Sequence, residues 1–379
     1  MNDAMRYEFG KNWAEFIARN LDAARVETSK QKLLGVLKLP DLEGRHFLDI
    51  GCGSGLHSLA AFHAGAARIT SFDYDPDSVA TTRKLHEHAG APAHWTVQQG
   101  SVLDGAFMST LEPADVVYSW GVLHHTGSMW EAIRNAAGRM KPDAVFLIAL
   151  YTTDVYIAPS PEFWLQTKRR YNLAGPFVRR CMEWAYACLV CFIPELMAGR
   201  NPAKFMRDYQ ASRGMSLWTD IKDWLGGWPM EFAGLAETKK FAAEALGLEL
   251  LNITAGEGNT EYLFRRKGAH NYFDAVLAAH PEVPLEGPFT SAGGKAWSVE
   301  LPASAGAGDG VDAPRRSHLM LYEEGVPSGF GHAIHAHIRD HGNTRYSHWG
   351  NQLIFATSDN SDPNENGRRY SYRLDMLSF

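Results

Sequence analysis

From residue 46 onward, short apolar runs alternate with amphipathic stretches, the pattern of a parallel sheet wrapped by helices. The runs predict strands over His46–Ile50, Arg68–Asp73, His94–Gln99, Asp115–Trp120 and Val145–Tyr151. Helix starts stand between them. Asp75 followed by Pro76 reads as an N-cap with proline in the first turn. Ser128 with Glu131 reads as a capping box that opens a helix through Met140, which Lys141, Pro142 and Asp143 then stop before the fifth strand.

After Tyr151 the alternation breaks, and it returns only at Glu237 with a helix that ends at Gly247. Strands over Leu248–Ile253 and Thr260–Arg266 follow. Residues 152–235 are therefore expected to form an insertion before the last helix and strand pair. It holds five of the 11 tryptophans, which argues for a folded, mainly helical lid rather than a linker. Within it, Trp184 to Ile193 is an unbroken apolar run, too short for the ~20 residues of a membrane span, and a buried lid helix is expected. Beyond Gly268 a proline- and glycine-rich passage leads into short β-type runs such as Ala296–Leu301, His318–Tyr322 and Gln352–Thr357. The expected division is an α/β domain over 1–268 and a small, mainly-β accessory domain over 269–379.

Composition narrows the function classes. With 45% apolar residues, 21% charged residues and a net charge of −6, the chain is globular and lacks the basic stripe of a nucleic-acid binder. Its first residues show no apolar segment behind a basic head, so a cytoplasmic protein without a membrane span is expected. Of the four cysteines, Cys52 lies in a glycine loop, while Cys181, Cys188 and Cys191 share the apolar stretch of the insertion and are expected as core thiols.

The chemistry concentrates in FLDIGCGSGLHS. Gly51, Gly53 and Gly55 stand at a strand-to-helix turn, where missing side chains admit a ligand to the backbone. Asp73 ends the next strand 18 residues after Gly55, placed to accept hydrogen bonds from both hydroxyls of a ribose. A dinucleotide fingerprint needs G-x-G-x-x-G, but here the third glycine comes one residue early and Leu56 takes its place. Asp49 stands two residues before the loop, and a carboxylate there suits a cationic amino-acid group better than a pyrophosphate.

On these residues the stretch 46–151 resembles the class I S-adenosylmethionine-dependent methyltransferases, whose first motif LDIGCGSG is close to. The resemblance implies a Rossmann-like seven-stranded methyltransferase sheet and S-adenosylmethionine as cofactor. It implies that Asp49, Gly51, Cys52, Gly53 and Gly55 hold the methionine moiety, that Asp73 holds the ribose, and that Tyr74 stacks near the adenine. Ser101 and Val102 would line the ring, with Ser101 where many members carry an acid. The run DVVYSWGVLHHTGS puts Ser119 to His125 at the carboxyl edge of the fourth strand and resembles the motif of ubiquinone-type and other small-molecule O-methyltransferases. There His125, with His124 beside it, is the candidate general base toward an acceptor hydroxyl.

In the insertion, Asp220 and Asp223 share a helical face, Trp224 and Trp228 flank two glycines, and Arg213 precedes them. Stacking aromatics beside carboxylates suit a ring or polyhydroxylated acceptor, and Arg213 an anionic one. The tail's His332, His335, His337, His341 and His348 lack the paired fixed spacings of a metal site, and no metal is expected. The leading expectation is methylation of a hydroxyl on a small molecule, quinol or saccharide, with homo-oligomerisation left open. The competing ones are a non-catalytic cofactor-sensing or glycan-binding protein on the same fold, and a nicotinamide oxidoreductase, which the loop spacing disfavours.

Overall fold

The computed structural model describes residues 23–213, 216–255 and 258–376, with the backbone alone over 210–213. Seven strands form one mixed sheet in the order β3-β2-β1-β4-β5-β7-β6. They are β1 (His46–Ile50), β2 (Arg68–Asp73), β3 (Trp95–Gln99), β4 (Ala114–Trp120), β5 (Met140–Tyr151), β6 (Leu248–Ala255) and β7 (Asn259–Arg266). The pairs β1–β2, β2–β3 and β1–β4 are parallel, and β7 runs antiparallel to β5 and β6. The α/β expectation is met, and each predicted strand is present within a few residues of its predicted bounds.

The chain divides into two compact units. Among the described residues, the first holds 23–33, 41–139 and 153–232; the second holds 34–40, 140–152 and 233–376. In the first, α1 (Ala23–Leu37) begins and the buried strand β1, with Phe47, Leu48 and Ile50 at no more than 1% exposure, lies at the centre. Helix α2 (Leu56–His63) follows the glycine loop, and α3 (Pro76–His88) follows β2. Asp75 caps α3 as its sequence predicts, its carboxylate accepting from the Asp77 N–H at 3.0 Å ahead of Pro76. Helix α4 (Gly105–Thr110) is capped by Asp104, and α5 (Met129–Ala137) follows β4.

Two local expectations fail. Ser128 makes no side-chain cap for α5; the carboxylate of Glu231, about a hundred residues on, accepts from the Met129 N–H at 2.9 Å instead. Nor does the helix reach Met140. It ends at Gly138, a poor helix former, and Lys141, Pro142 and Asp143 lie inside β5. Pairing with β7 begins only at Val145, so Pro142 removes no bond from that ladder.

The insertion is helical: α6 (Pro161–Leu173), α7 (Pro176–Tyr186), a π-helical stretch over Ala187–Phe192, α8 (Ile193–Met197), α9 (Pro202–Arg213) and α10 (Leu217–Gly226). Tyr171, Ala187, Leu217, Ile221 and Leu225 form its core. The helix expected as buried over Trp184–Ile193 is buried on one side only. Trp184, Leu189, Val190 and Ile193 are exposed, as are Cys181 and Cys188, while Tyr186, Ala187, Cys191 and Phe192 pack with α10 in the insertion core.

In the second unit, α11 (Leu235–Leu246) ends at Gly247 with φ 63°. Eight short strands follow: β8 (Val283–Leu285), β9 (Thr290–Ser291), β10 (Trp297–Glu300), β11 (Met320–Glu323), β12 (Val326–Pro327), β13 (Tyr346–Trp349), β14 (Gln352–Phe355) and β15 (Tyr370–Arg373). They form two four-stranded sheets, β13-β14-β10-β9 and β12-β11-β15-β8, around Leu319, Leu321, Tyr346, Leu353, Phe355, Tyr370 and Tyr372. Of the tail histidines, His335–His341 is a short helix, His332 pairs with buried Asp309 at 2.7 Å, and His348 bonds Ser317 at 2.7 Å. No group of three or more metal-donor side chains is gathered among the described residues.

Candidate functional site

Strands β2 and β3 lie on one side of β1 and β4 on the other, so the chain reverses its direction across the sheet at the carboxyl ends of β1 and β4. Such a reversal opens the crevice where ligands bind in open α/β sheets. The glycine loop leaves β1 there, and Gly51 and Gly55 show why the residue type is needed. Gly51 has φ 75°, and a Cβ on it would stand 2.3 Å from Val122 Cγ1. Gly55 has φ 79°, and its Cβ would meet Thr82 Oγ1 at 2.9 Å. The first contact also seats the turn after β4, Val122 included, directly on the glycine loop.

Asp73 reaches over that loop from the end of β2. Its Oδ2 accepts from the Gly53 N–H and its Oδ1 from the Asp75 N–H, each at 2.9 Å. Tyr74, next in sequence, is 40% exposed at the rim, as a stacking side chain would be. Asp49 lies deeper, 2% exposed, where its Oδ2 accepts from the Ser58 hydroxyl at 2.5 Å. Ser58 in turn contacts Ser71, which accepts from Trp95 Nε1 at 2.9 Å. Burial pushes the Asp49 carboxyl up to about 7, with the Ser58 hydrogen bond opposing and the charge of Asp73 adding to the rise. A buried carboxyl poised near neutrality is one that a neighbouring cation would ionise.

The other expected cofactor residues differ in what their polar atoms do. Cys52 is buried and receives the Thr82 hydroxyl, and burial raises its thiol well above the usual range. Ser101 accepts from the Leu103 N–H at 3.2 Å, and the Val102 carbonyl accepts from Asn135, so the pair forms a fixed turn after β3. The Ser119 hydroxyl is fully buried and donates to the Ile50 carbonyl at 2.9 Å; it ties β4 to β1.

His124 and His125 form a single 3₁₀ turn beyond β4, their rings 4.4 Å apart. His124 is fully buried, which drives its pKa far down and keeps the ring neutral; its carbonyl accepts from the Glu231 N–H at 2.8 Å. His125 is half-buried, and its Nδ1 meets the Pro229 carbonyl at 2.7 Å. A carbonyl only accepts, so Nδ1 carries a proton, and in the neutral ring Nε2 then has the lone pair. The segment Pro229–Glu231 thus binds this turn three times, through His125, His124 and the Met129 N–H.

Of the expected acceptor residues, Trp228 directly precedes Pro229. Asp220 instead accepts from the Tyr209 hydroxyl inside the insertion. Trp224 stacks on Tyr156 at 5.8 Å and meets Trp164 edge-on at 5.3 Å. Asp223 acts on buried Lys168, and the side chain of Arg213 lies outside the described residues.

Several residues here escape a reading of the sequence. Lys168 sits in the charged run KRR, which reads as a solvated face, yet it is 1% exposed, with Nζ 4.0 Å from the Trp224 ring centroid and bonded to the Trp224 carbonyl. Glu231 and Pro229 carried no local signal, because their partners are distant in the chain. His57 packs 5.1 Å from Tyr118 and 6.1 Å from the exposed Trp120, and burial lowers its pKa to about 4. Its place one residue into α2, beside the loop, was the available clue.

Comparison with known proteins agrees with this geometry. Residues 11–195 match the model of a family described as a methyltransferase domain. A ubiquinone biosynthesis O-methyltransferase of Paramagnetospirillum magneticum is 33% identical over 105 residues, covering 28% of this chain and 40% of that protein. A tRNA U34 carboxymethyltransferase of Saccharophagus degradans is 30% identical over 104 residues, covering 27% and 31%. The chain thus spans less than half the length of either relative. Among solved structures, an O-methyltransferase family protein from Burkholderia thailandensis superposes with a TM-score of 0.41 at 15% identity, covering 69% of this chain and 59% of that one. Residues 11–195 thus match a methyltransferase domain, and the glycine loop and the order of the seven-stranded sheet are those of the Rossmann-like fold of class I S-adenosylmethionine-dependent methyltransferases.

Proposed function

We propose that the protein transfers the methyl group of S-adenosylmethionine to a hydroxyl of a small molecule, a quinol or a saccharide. Asp49 and the glycine loop hold the methionine end, Asp73 the ribose, and Tyr74 with Val102 the adenine. The cofactor supplies an activated methyl on a sulfonium. The protein's own task is to place an acceptor oxygen in line with it and to take its proton.

The observation that carries the reading is the hydrogen bond from His125 Nδ1 to the Pro229 carbonyl at 2.7 Å. It fixes the tautomer in which Nε2 is a proton acceptor, at the edge of the sheet where the cofactor's reacting end is expected. Trp228, adjoining Pro229, is the member of the acceptor set best placed to stack on a ring, and Asp223 the one to accept from its hydroxyls.

The test is release of S-adenosylhomocysteine from the full chain supplied with S-adenosylmethionine and a panel of phenols, quinols and sugars. An accepted compound is then tried with His125→Ala. The rate should fall about 10²–10⁴-fold. Wild-type rates in that variant would refute the base. Tight cofactor binding without turnover of any acceptor would favour a non-catalytic sensor.

A further inference from the structure

The helical insertion leaves a row of large apolar side chains uncovered. Along α7 and its π-helical continuation, Glu183 points inward at 4% exposure, bonding the Tyr171 hydroxyl, and Met182, Tyr186, Ala187, Cys191 and Phe192 pack into the insertion core, while eight other apolar side chains from α7 through α8 stay exposed. Phe177 is 81% exposed, Leu189 66%, Leu196 61% and Met197 84%, with Val178, Trp184, Val190 and Ile193 beside them in sequence at 43–50%. Eight large apolar side chains on one helical rod exceed the scattered exposure normal for a monomer's surface and mark an interaction face.

Charge selects what covers it. Residues 161–213 hold nine Lys and Arg against four Asp and Glu, in a chain whose net charge is −6. Glu183 is taken by Tyr171 and Arg180, and Glu195 by Arg200. Exposed Arg169, Arg170, Lys204 and Arg207 have no acidic partner within ion-pair distance among the described residues. A second copy bringing the same basic face would be repelled, whereas an anionic surface with an apolar interior complements both features.

Length sets the mode of contact. No single helix among the described residues is long and apolar enough to cross a bilayer; the rod Pro176–Met197 bends by 117° into Pro202–Tyr209, turning at Gly199 with φ 68°. Trp184 lies 4.6 Å from Trp218, over which Arg180 stacks at 5.2 Å, the amphipathic aromatic and arginine pairing suited to a headgroup layer.

We propose that this face of the insertion docks on an anionic lipid bilayer, with Phe177, Leu189, Leu196 and Met197 entering the headgroup–acyl boundary and Arg169, Arg170, Lys204 and Arg207 meeting the lipid phosphates. The bent rod lies in the interface and does not span it. The inference is independent of the methyl-transfer reading, because its test needs neither cofactor nor acceptor.

The full chain is floated with vesicles of phosphatidylcholine alone and of phosphatidylcholine containing phosphatidylglycerol. It should rise with the anionic vesicles and be released by salt. Leu189→Asp with Met197→Asp should abolish binding. Arg169→Gln with Arg170→Gln should weaken it about twenty-five-fold, from about fivefold for each charge. Both pairs are on the surface, and an unchanged melting profile shows that the fold is kept. Should the aspartate pair fail to fold, wild-type tryptophan fluorescence decides: lipids brominated on the acyl chain should quench it in anionic vesicles. Absence of flotation and of quenching, equal binding to both vesicle types, or a dimer that Leu189→Asp dissociates without any vesicle binding would each overturn the proposal.

Discussion

Substituting alanine at Gly51 tests the joint between the cofactor loop and the reacting turn. Two costs are expected. A left-handed backbone at φ 75° costs an alanine about 1–2 kcal/mol. The added Cβ would also stand 2.3, 2.6 and 2.9 Å from Cγ1, Cγ2 and Cβ of Val122, and overpacking of this kind costs about 1–3 kcal/mol. Val122 cannot rotate out of the way, since both methyls and the carbon bearing them are too close. Gly51→Ala should therefore cost about 2–5 kcal/mol in all and, by moving the loop, weaken S-adenosylmethionine binding at least about tenfold. The double-mutant cycle separates the two costs. Val122→Ala removes the methyls but leaves the 2.9 Å contact, so the pair should be less destabilised than the sum of the singles by about 1 kcal/mol; Val122→Gly should relieve more, by about 2–3 kcal/mol. Denaturant melts and cofactor titration calorimetry read both quantities. Strict additivity with either partner would show that Val122 does not sit on Gly51, and the placement of His125 beside the loop would fall with it.

Two pH-dependent outcomes follow from buried groups. Asp49, held near 7 without a cation, should ionise when the cofactor's ammonium binds, so cofactor affinity should rise from about pH 6 to about 7 and then level off. Asp49→Asn should flatten that rise, and a wild-type affinity unchanged across it would count against the assignment. Burial lowers the Lys168 pKa to about 7 from an ordinary 10.5, opposed by the charge of Asp223. Below about 7 both folded and unfolded chains hold this proton, and the folded chain bears the full cost, on the order of 5 kcal/mol. Between 7 and 10.5 the folded chain has released it while the unfolded chain keeps it, so stability is regained as pH rises. Lys168→Met forgoes a hydrogen bond worth about 1–2 kcal/mol and should still melt higher than wild type at pH 6, with the gap closing toward pH 10. A variant that melts lower at pH 6 would show the lysine to be a net stabiliser.

What the sequence made legible was whatever is encoded within a few residues. The strands over 46–151 and the cap at Asp75–Pro76 depend on local pattern, and both are found. So does the early third glycine that separates this loop from a dinucleotide fingerprint. What stayed hidden depends on distant pairing. Ser128 and Glu131 have the spacing of a capping box, but the carboxylate of Glu231 competes for the same backbone donor and wins it. Lys168 is drawn inward from a basic run by the Trp224 ring and carbonyl. The run Trp184–Ile193 is apolar throughout, yet only one side of it meets the insertion core, because apolar character alone does not say which side of a helix is covered. Asp220 and Trp224 share a plausible binding pattern with Trp228, but only the fold shows that the first two face the insertion's interior.

The central claim is that the loop from Gly51 to Gly55, with Asp49 and Asp73, is an S-adenosylmethionine site. Calorimetric titration of the full chain with S-adenosylmethionine, and separately with NADH, tests it most directly. One cofactor molecule should bind per chain, NADH should not bind, and Asp73→Ala should weaken the cofactor by at least about tenfold through the lost ribose hydrogen bonds. Binding of NADH in place of S-adenosylmethionine, or cofactor affinity indifferent to Asp73, would contradict the account.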